Sequence, residues 1–237
     1  MIYFNLFLIV LFVNLTTIAT AQIDCNPILK KHLNKLNNSL SEVKNERQLI
    51  LKPLAEYIIN NIKNKKNVRL LFICTHNSRR SHIAQIYANS APIYYGIQGI
   101  RTFSGGTEAT VFHKNAIEAL RRMGFGSLQK EEEGNNPNNP KWFVESVKGA
   151  LFNECFSKRY DDIANPRKDF VAIMVCSEAD KNCPVITGAE KKISLPYNDP
   201  KEYDNTEIFA QKYDEKCIEI GREMMWLFNE VKRLKNT

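Results

Sequence analysis

Histidine is scarce, with four in 237 residues, and no spacing among His and Cys resembles a closed zinc site. No essential metal or other cofactor is therefore expected. Blocks of Lys or Arg are absent too. The net charge of +7 is spread along the chain, which suits an anionic partner and gives little footing for nucleic acid. No internal repeat is present, and no apolar run reaches the ~20 residues that a membrane-spanning helix needs. What remains is an ordinary globular composition, long enough for one sizeable α/β domain plus an extension.

The most apolar segment, Ile2 to Val13, leads to Ala19-Thr20-Ala21, a small-x-small site of the kind signal peptidase cuts. Residues 1–21 are expected to be a signal peptide. The mature protein would then be exported, periplasmic or secreted, with no stable membrane anchor; the competing reading is an uncleaved anchor. Export permits disulfides among the six cysteines. Residues 22–66 read as a helical extension. Leu29, Leu33, Leu36 and Leu40 recur at helical spacing, as do Ile50, Leu54, Ile58 and Ile62, with Pro53 expected to start or kink the second helix.

Residues 67–237 read as the main domain. Strands are expected at 68–74, 99–104, 170–176 and 192–196, and helices around 81–90, 114–123 and 206–234. Strands alternating with helices imply α/β architecture: a four-stranded parallel sheet flanked by helices. The charged, Asn/Pro-rich stretch from Gln129 to Phe143 reads as a surface insertion, with the whole interruption spanning about 129–165. Ligands of such sheets sit beyond the carboxyl ends of the strands at the topological switch point. Cys74, Ser104 and Cys176 all fall at such ends, and Gly105-Gly106 lets backbone come close to the first loop.

That first loop is Cys74-Thr75-His76-Asn77-Ser78-Arg79-Arg80-Ser81, running from a strand into a helix. Backbone N–H groups curled at a helix N-terminus make an anion nest, and the helix dipole adds positive potential, so residues 75–80 are expected to bind an oxyanion. The same field favours thiolate over thiol and makes Cys74 a candidate nucleophile. Arg80 can grip two oxygens of a tetrahedral anion in a bidentate fork. Ser81 can hydrogen-bond the sulfur, and Asn77 can fix the loop internally. His76 has two readings, contact with the oxyanion or exposure to solvent.

These residues resemble a family. Cys74 and Arg80, separated by five residues and followed by Ser81, are similar to the signature of the low-molecular-weight protein tyrosine phosphatases and of the thioredoxin-coupled arsenate reductases that share their fold. The resemblance covers roughly residues 67–234 and implies a flavodoxin-like, three-layer arrangement. It also implies that Asp199, in Tyr197-Asn198-Asp199-Pro200, is a mobile-loop acid that protonates a leaving oxygen and then activates water. Read alone, Asp-Pro after a strand is a turn. His76 stands where the relatives usually have Gly, and Lys201 and Glu202 replace the tyrosines that often follow Asp-Pro in the phosphatases.

The segment from Cys176 to Pro184, CSEADKNCP, resembles the redox segment of those arsenate reductases. By that resemblance Cys74 attacks arsenate, Cys176 attacks Cys74 to release arsenite, and Cys183 takes over Cys176 as a disulfide that a thioredoxin-like dithiol protein reduces. The alternative function is a low-molecular-weight phosphatase hydrolysing phosphate monoesters through a phosphocysteine. A third reading is a noncatalytic oxyanion-binding protein. Cys176 and Cys183 have two further readings, a permanent disulfide or unpaired core thiols. Seven helical residues span ~10 Å, whereas bonded cysteines need Cα atoms within ~7 Å. A helix over 177–183 must therefore unwind on oxidation. Cys217 falls on an apolar stripe with Ile208, Tyr213, Ile220, Met224 and Phe228 and reads as core. Cys25 and Cys155 have no readable role. His82 and His113 are expected on helix surfaces or as helix caps, and Glu131-Glu132-Glu133 as a solvated patch.

Overall fold

The computed structural model describes residues 26–129, 136–146, 153–182 and 185–236. The expected signal segment, Cys25, the Glu131-Glu132-Glu133 run and Cys183 lie outside the described residues.

The chain begins with α1 (Pro27–Asn37), started by Asn26, whose side chain accepts from the Ile28 N–H, and continues through a 3-10 turn into α2 (Asn45–Lys63). It then runs through β1 (Val68–Cys74), α3 (Arg80–Tyr94), β2 (Ile100–Gly106) and α4 (Lys114–Arg122). Three short strands follow: β3 (Gly126–Gln129), β4 (Trp142–Glu145) and β5 (Asn153–Cys155). The chain closes with β6 (Phe170–Met174), α5 (Ser177–Asn182), β7 (Ala189–Ser194) and the long α6 (Phe209–Lys235).

The main sheet has the order β2-β1-β6-β7, with every neighbouring pair parallel. This is the expected four-stranded parallel sheet flanked by helices. Strand β6 is buried at every residue and β1 at all but Arg69, as near-continuous apolar runs in the middle of a parallel sheet should be. The chain leaves β1 for β2 on one side and returns to β6 on the other. The carboxyl end of β1 is therefore the switch point, and Cys74 is its last residue.

The N-terminal helices share the core of the main domain. Leu29, Leu33 and Leu36 of α1 and Leu51, Leu54, Ala55, Ile58 and Ile59 of α2 join one buried cluster with the sheet and α6. Each such Leu or Ile contributes about 1.5–3 kcal/mol by leaving water. Gly221 of α6 permits this packing, since a methyl group there would lie 2.7 Å from the Tyr87 ring and 2.9 Å from Leu36. Pro53 lies inside α2, on its exposed side. The apolar stripe of α6 starts at Tyr213, one turn later than expected, because Ile208 is exposed; Cys217 is buried within it as expected.

The interruption between α4 and β6 is more than a surface loop. Strands β3, β4 and β5 form a separate antiparallel sheet, and the chain after it returns to the main sheet. There Gly106 N–H donates to Lys158 O and Tyr160 N–H donates to Gly106 O, both at 2.8 Å, in a parallel bridge beside the end of β2.

Candidate active site

The loop from Cys74 to Arg80 joins β1 to α3 and is built almost wholly from buried residues. Cys74, Thr75, Asn77, Ser78, Arg79, Arg80 and Ser81 are all buried, while His76 points outward, 3.5 Å from the exposed carboxylate of Glu108. Asn77 turns the loop with a φ of 45°, a left-handed conformation that Asn tolerates better than most residues. Among the described residues, none accepts from the backbone N–H groups of His76 to Arg80, and no side chain caps α3. Buried, unpaired N–H groups at a helix start call for an anion.

Hydrogen bonds around Cys74 have a direction. Asn77 Nδ2 donates to Ser81 Oγ at 2.8 Å, and Ser81 Oγ lies 3.1 Å from Cys74 Sγ. With one lone pair of the serine occupied by Asn77, its proton is free to be donated to the sulfur. The other end of the Asn77 amide accepts from the Lys158 N–H at 2.9 Å, and Ser157 Oγ donates to His76 O at 2.8 Å. On the opposite side Glu108 N–H and Thr107 Oγ1 donate to Thr75 O at 2.8 and 3.2 Å. The loop is thus held from both flanks.

The two arginines of the loop do different things. Arg79 turns its side chain away from the nest, donating to Tyr213 OH at 2.6 Å and to Asp204 at 2.5 Å. Asp204 also accepts from Tyr213 OH at 2.5 Å and from Asn115 Nδ2 at 3.1 Å. Burial would raise the Asp204 carboxyl, but the Tyr213 hydroxyl and the Arg79 guanidinium outweigh it and hold the group below its ordinary range. Arg80 donates from Nη1 to Tyr197 O at 2.9 Å and from Nη2 to Asp199 at 2.5 Å, while its Nε is buried with no hydrogen-bond partner among the described residues. Asp199 is thereby brought to the loop, and its other oxygen accepts from the Lys201 N–H at 3.0 Å to start a 3-10 turn.

Cys176 lies just past β6, whose Ile173 and Met174 pair with Phe72 and Ile73 of β1. Its buried sulfur is 3.4 Å from Thr75 Oγ1 and accepts from the Ala179 N–H at 3.3 Å. Helix α5, Ser177–Asn182, follows directly, so the segment leading to Cys183 is helical up to Asn182. Cys183 falls outside the described residues. Cys155 is fully buried, and that burial pushes its thiol up to about 12, which makes it inert at neutral pH.

Two histidines separate on inspection. His113 caps α4, its Nδ1 accepting from the Asn115 N–H at 3.3 Å, as expected. His82 is not on a helix surface: it is completely buried, with Nδ1 3.1 Å from Ser104 Oγ and its ring 4.2 Å from that of Phe112. Burial, helped by the charge of Lys158, drives its pKa well below the usual range, so it stays neutral. Lys158 and Asp204, which help hold the site, lie in no sequence motif, and Tyr197 falls in the Asp-Pro element without a role of its own there.

A cysteine in a nest of N–H groups, with a serine at its sulfur and an arginine at its rim, is an arrangement suited to thiol chemistry on an oxyanion. No family model matches the chain. Over 131 residues it is 28% identical to an arsenate reductase of Staphylococcus epidermidis, an overlap covering 55% of this chain and 77% of that protein. Among solved structures it is similar to a low-molecular-weight phosphotyrosine phosphatase from Vibrio cholerae, at 14% identity and a TM-score of 0.46, covering 69% of this chain and 95% of that one. It is also similar to an arsenate reductase in a phosphate-bound state, at 16% identity and a TM-score of 0.44, covering 69% and 98%. The sequence relative is an arsenate reductase, one of the two kinds of protein whose signature the loop resembles.

Proposed function

We propose that the protein is an arsenate-reductase-type thiol enzyme. Its substrate is a tetrahedral oxyanion held by the backbone of Thr75 to Arg80 and by the Arg80 guanidinium. The observation that carries this reading is the conjunction of unpaired loop N–H groups, an unpaired Arg80 Nε and a second buried cysteine, Cys176, against the same loop.

Cys74 thiolate attacks the arsenic of arsenate and forms a sulfur–arsenic bond, while one arsenate hydroxyl takes up a proton from solvent and leaves as water. Cys176 thiolate then attacks the Cys74 sulfur. The sulfur–arsenic electron pair leaves with arsenic, which departs as arsenite, and a Cys74–Cys176 disulfide remains. Cys183 attacks Cys176 and frees Cys74, and an external dithiol reduces the Cys176–Cys183 bond. In the resting arrangement Cys176 is engaged with Thr75 and Ala179, so the second step requires it to leave both. If residues 1–21 direct export, the reductant is a dithiol protein of that outer compartment.

One observation favours a second reading. Asp199 lies on Arg80 at the loop, where an acid for ester hydrolysis is needed, so a low-molecular-weight phosphatase is the alternative. Purified protein assayed with arsenate plus a dithiol system, beside an aryl phosphate without one, separates the two. Arsenate-dependent consumption of dithiol is the expected result. Hydrolysis of the aryl phosphate with no such consumption would replace the reductase by the phosphatase.

A further inference from the structure

We propose that Arg47, in the N-terminal extension, is a positioning residue for the oxyanion-gripping Arg80. The link runs through the backbone between β7 and Asp199. Arg47 Nε and Nη2 donate to the two carboxylate oxygens of Glu223 on α6, both at 2.8 Å, and Nη1 donates to Pro196 O at 3.1 Å. The same guanidinium stacks on the Tyr197 ring, 4.7 Å from its centroid, and the Tyr197 hydroxyl donates to Glu223 at 2.6 Å. Two groups from distant parts of the chain, Arg47 and Glu223, thus lock Pro196 and Tyr197. The Tyr197 carbonyl, fixed in this way, is the acceptor that holds Arg80 Nη1.

Geometry makes this more than a structural salt bridge. All three donors of Arg47 that form bonds lie in one planar fork, and lysine cannot reproduce that fork. Glu223 and Tyr197 are almost completely buried, so the lock sits in a low-dielectric setting where each bond is strong and a missing partner is costly. Helix α2 supplies the anchor, because its buried face from Leu51 to Ile59 fixes where Arg47 projects. The extension therefore does more than cover the fold: it reaches the backbone segment that orients both Arg80 and Asp199. Arg47 touches no substrate, and its effect passes through Tyr197.

The inference rests on the reading of Arg80 as the residue that grips the anion, and inorganic phosphate titrated calorimetrically into the full chain tests both. Wild type is expected to bind phosphate. Arg47→Met should weaken binding by about tenfold, the effect of losing one charge-assisted hydrogen bond's worth of orientation, and Arg47→Lys by less. Should Arg47→Met not fold, because Glu223 is left buried and unpaired, the double variant Arg47→Met/Glu223→Met removes both charges and keeps the test. The decisive arm repeats the Arg47 change in an Arg80→Lys background, where no guanidinium remains to be oriented. There the change should alter affinity by less than about twofold, as expected of uncoupled sites. An equal loss in both backgrounds, or no loss in either, overturns the proposal. A wild type that does not bind phosphate overturns the oxyanion-binding reading itself, and this inference with it.

Discussion

Gly106→Ala is a perturbation whose size can be worked from the geometry of the loop. Gly106 ends β2 and faces the nest: a methyl group there would lie 2.2 Å from Glu108 O, 2.6 Å from Thr75 O and 2.8 Å from Asn77 N. Carbon and oxygen normally approach no closer than about 3.3 Å, so backbone must move by roughly 1.1 Å. All three neighbours are main-chain atoms, two of them inside the held loop, and none can swing aside as a side-chain tip could. A misplacement of about 1 Å costs on the order of a hundredfold in rate, so the variant should lose about 30- to 100-fold in turnover and similarly in phosphate affinity. Overpacking of this kind costs about 1–3 kcal/mol of stability, which leaves a folded protein to assay. Gly96→Ala is the control. Gly96 has a φ of 69° and no atom within 4 Å of the added methyl, so the variant should lose about 1–2 kcal/mol through backbone strain and keep its activity. A folded Gly106→Ala protein that turns over within twofold of wild type would refute the claim that the backbone of this loop is the binding element.

Asn77→Ala removes the donor to Ser81 and the acceptor of the Lys158 N–H, both in buried surroundings. It should cost about 2–3 kcal/mol in urea unfolding, and a loss below 0.5 kcal/mol would contradict the assigned bonds. A pH effect follows from His32, whose Nε2 lies 2.7 Å from the Tyr87 hydroxyl; burial first, then the charge of Lys35, lowers its pKa from 6.5 to about 4. The unfolded chain takes up that proton first, so stability contributed by neutral His32 is present above pH 6.5 and falls between 6.5 and about 4. The slope is at most about 1.4 kcal/mol per pH unit for one proton, and His32→Phe should flatten the urea-unfolding profile by that amount between pH 6 and 5.

What could be read in advance follows from which forces leave a trace in residue order. Strand β1 and the loop after it were legible because an apolar run stops at Cys74 and a helix period begins at Arg80. Strand β7 was placed three residues late. It is an edge strand, Ala189–Ser194, with charged residues along it, and the buried apolar Leu195 follows it, its N–H donating to Met174 O at 2.8 Å. The part played by residues 157–160 was hidden because Lys158 and Tyr160 hold Gly106 and Asn77 through backbone groups, which every residue has. Arg47 and Glu223 stand 176 positions apart, and nothing in either neighbourhood announces the pairing. His82 misled because polarity suggested a surface, whereas Ser104 and Phe112 provide a buried seat for the neutral ring.

The central claim is that the two electrons for the reaction come from the Cys74 and Cys176 thiols, one from each, as they join in a disulfide. Its most direct test is to trap that step: Cys183→Ser protein, fully reduced, is given arsenate without any reductant, quenched by alkylation and mapped by peptide mass. The account predicts one arsenate consumed per chain and a peptide pair joined by a Cys74–Cys176 disulfide, absent when Cys74→Ser or Cys176→Ser is treated in the same way. Fully alkylated Cys74 and Cys176 after arsenate, in a protein that still hydrolyses an aryl phosphate, would contradict it.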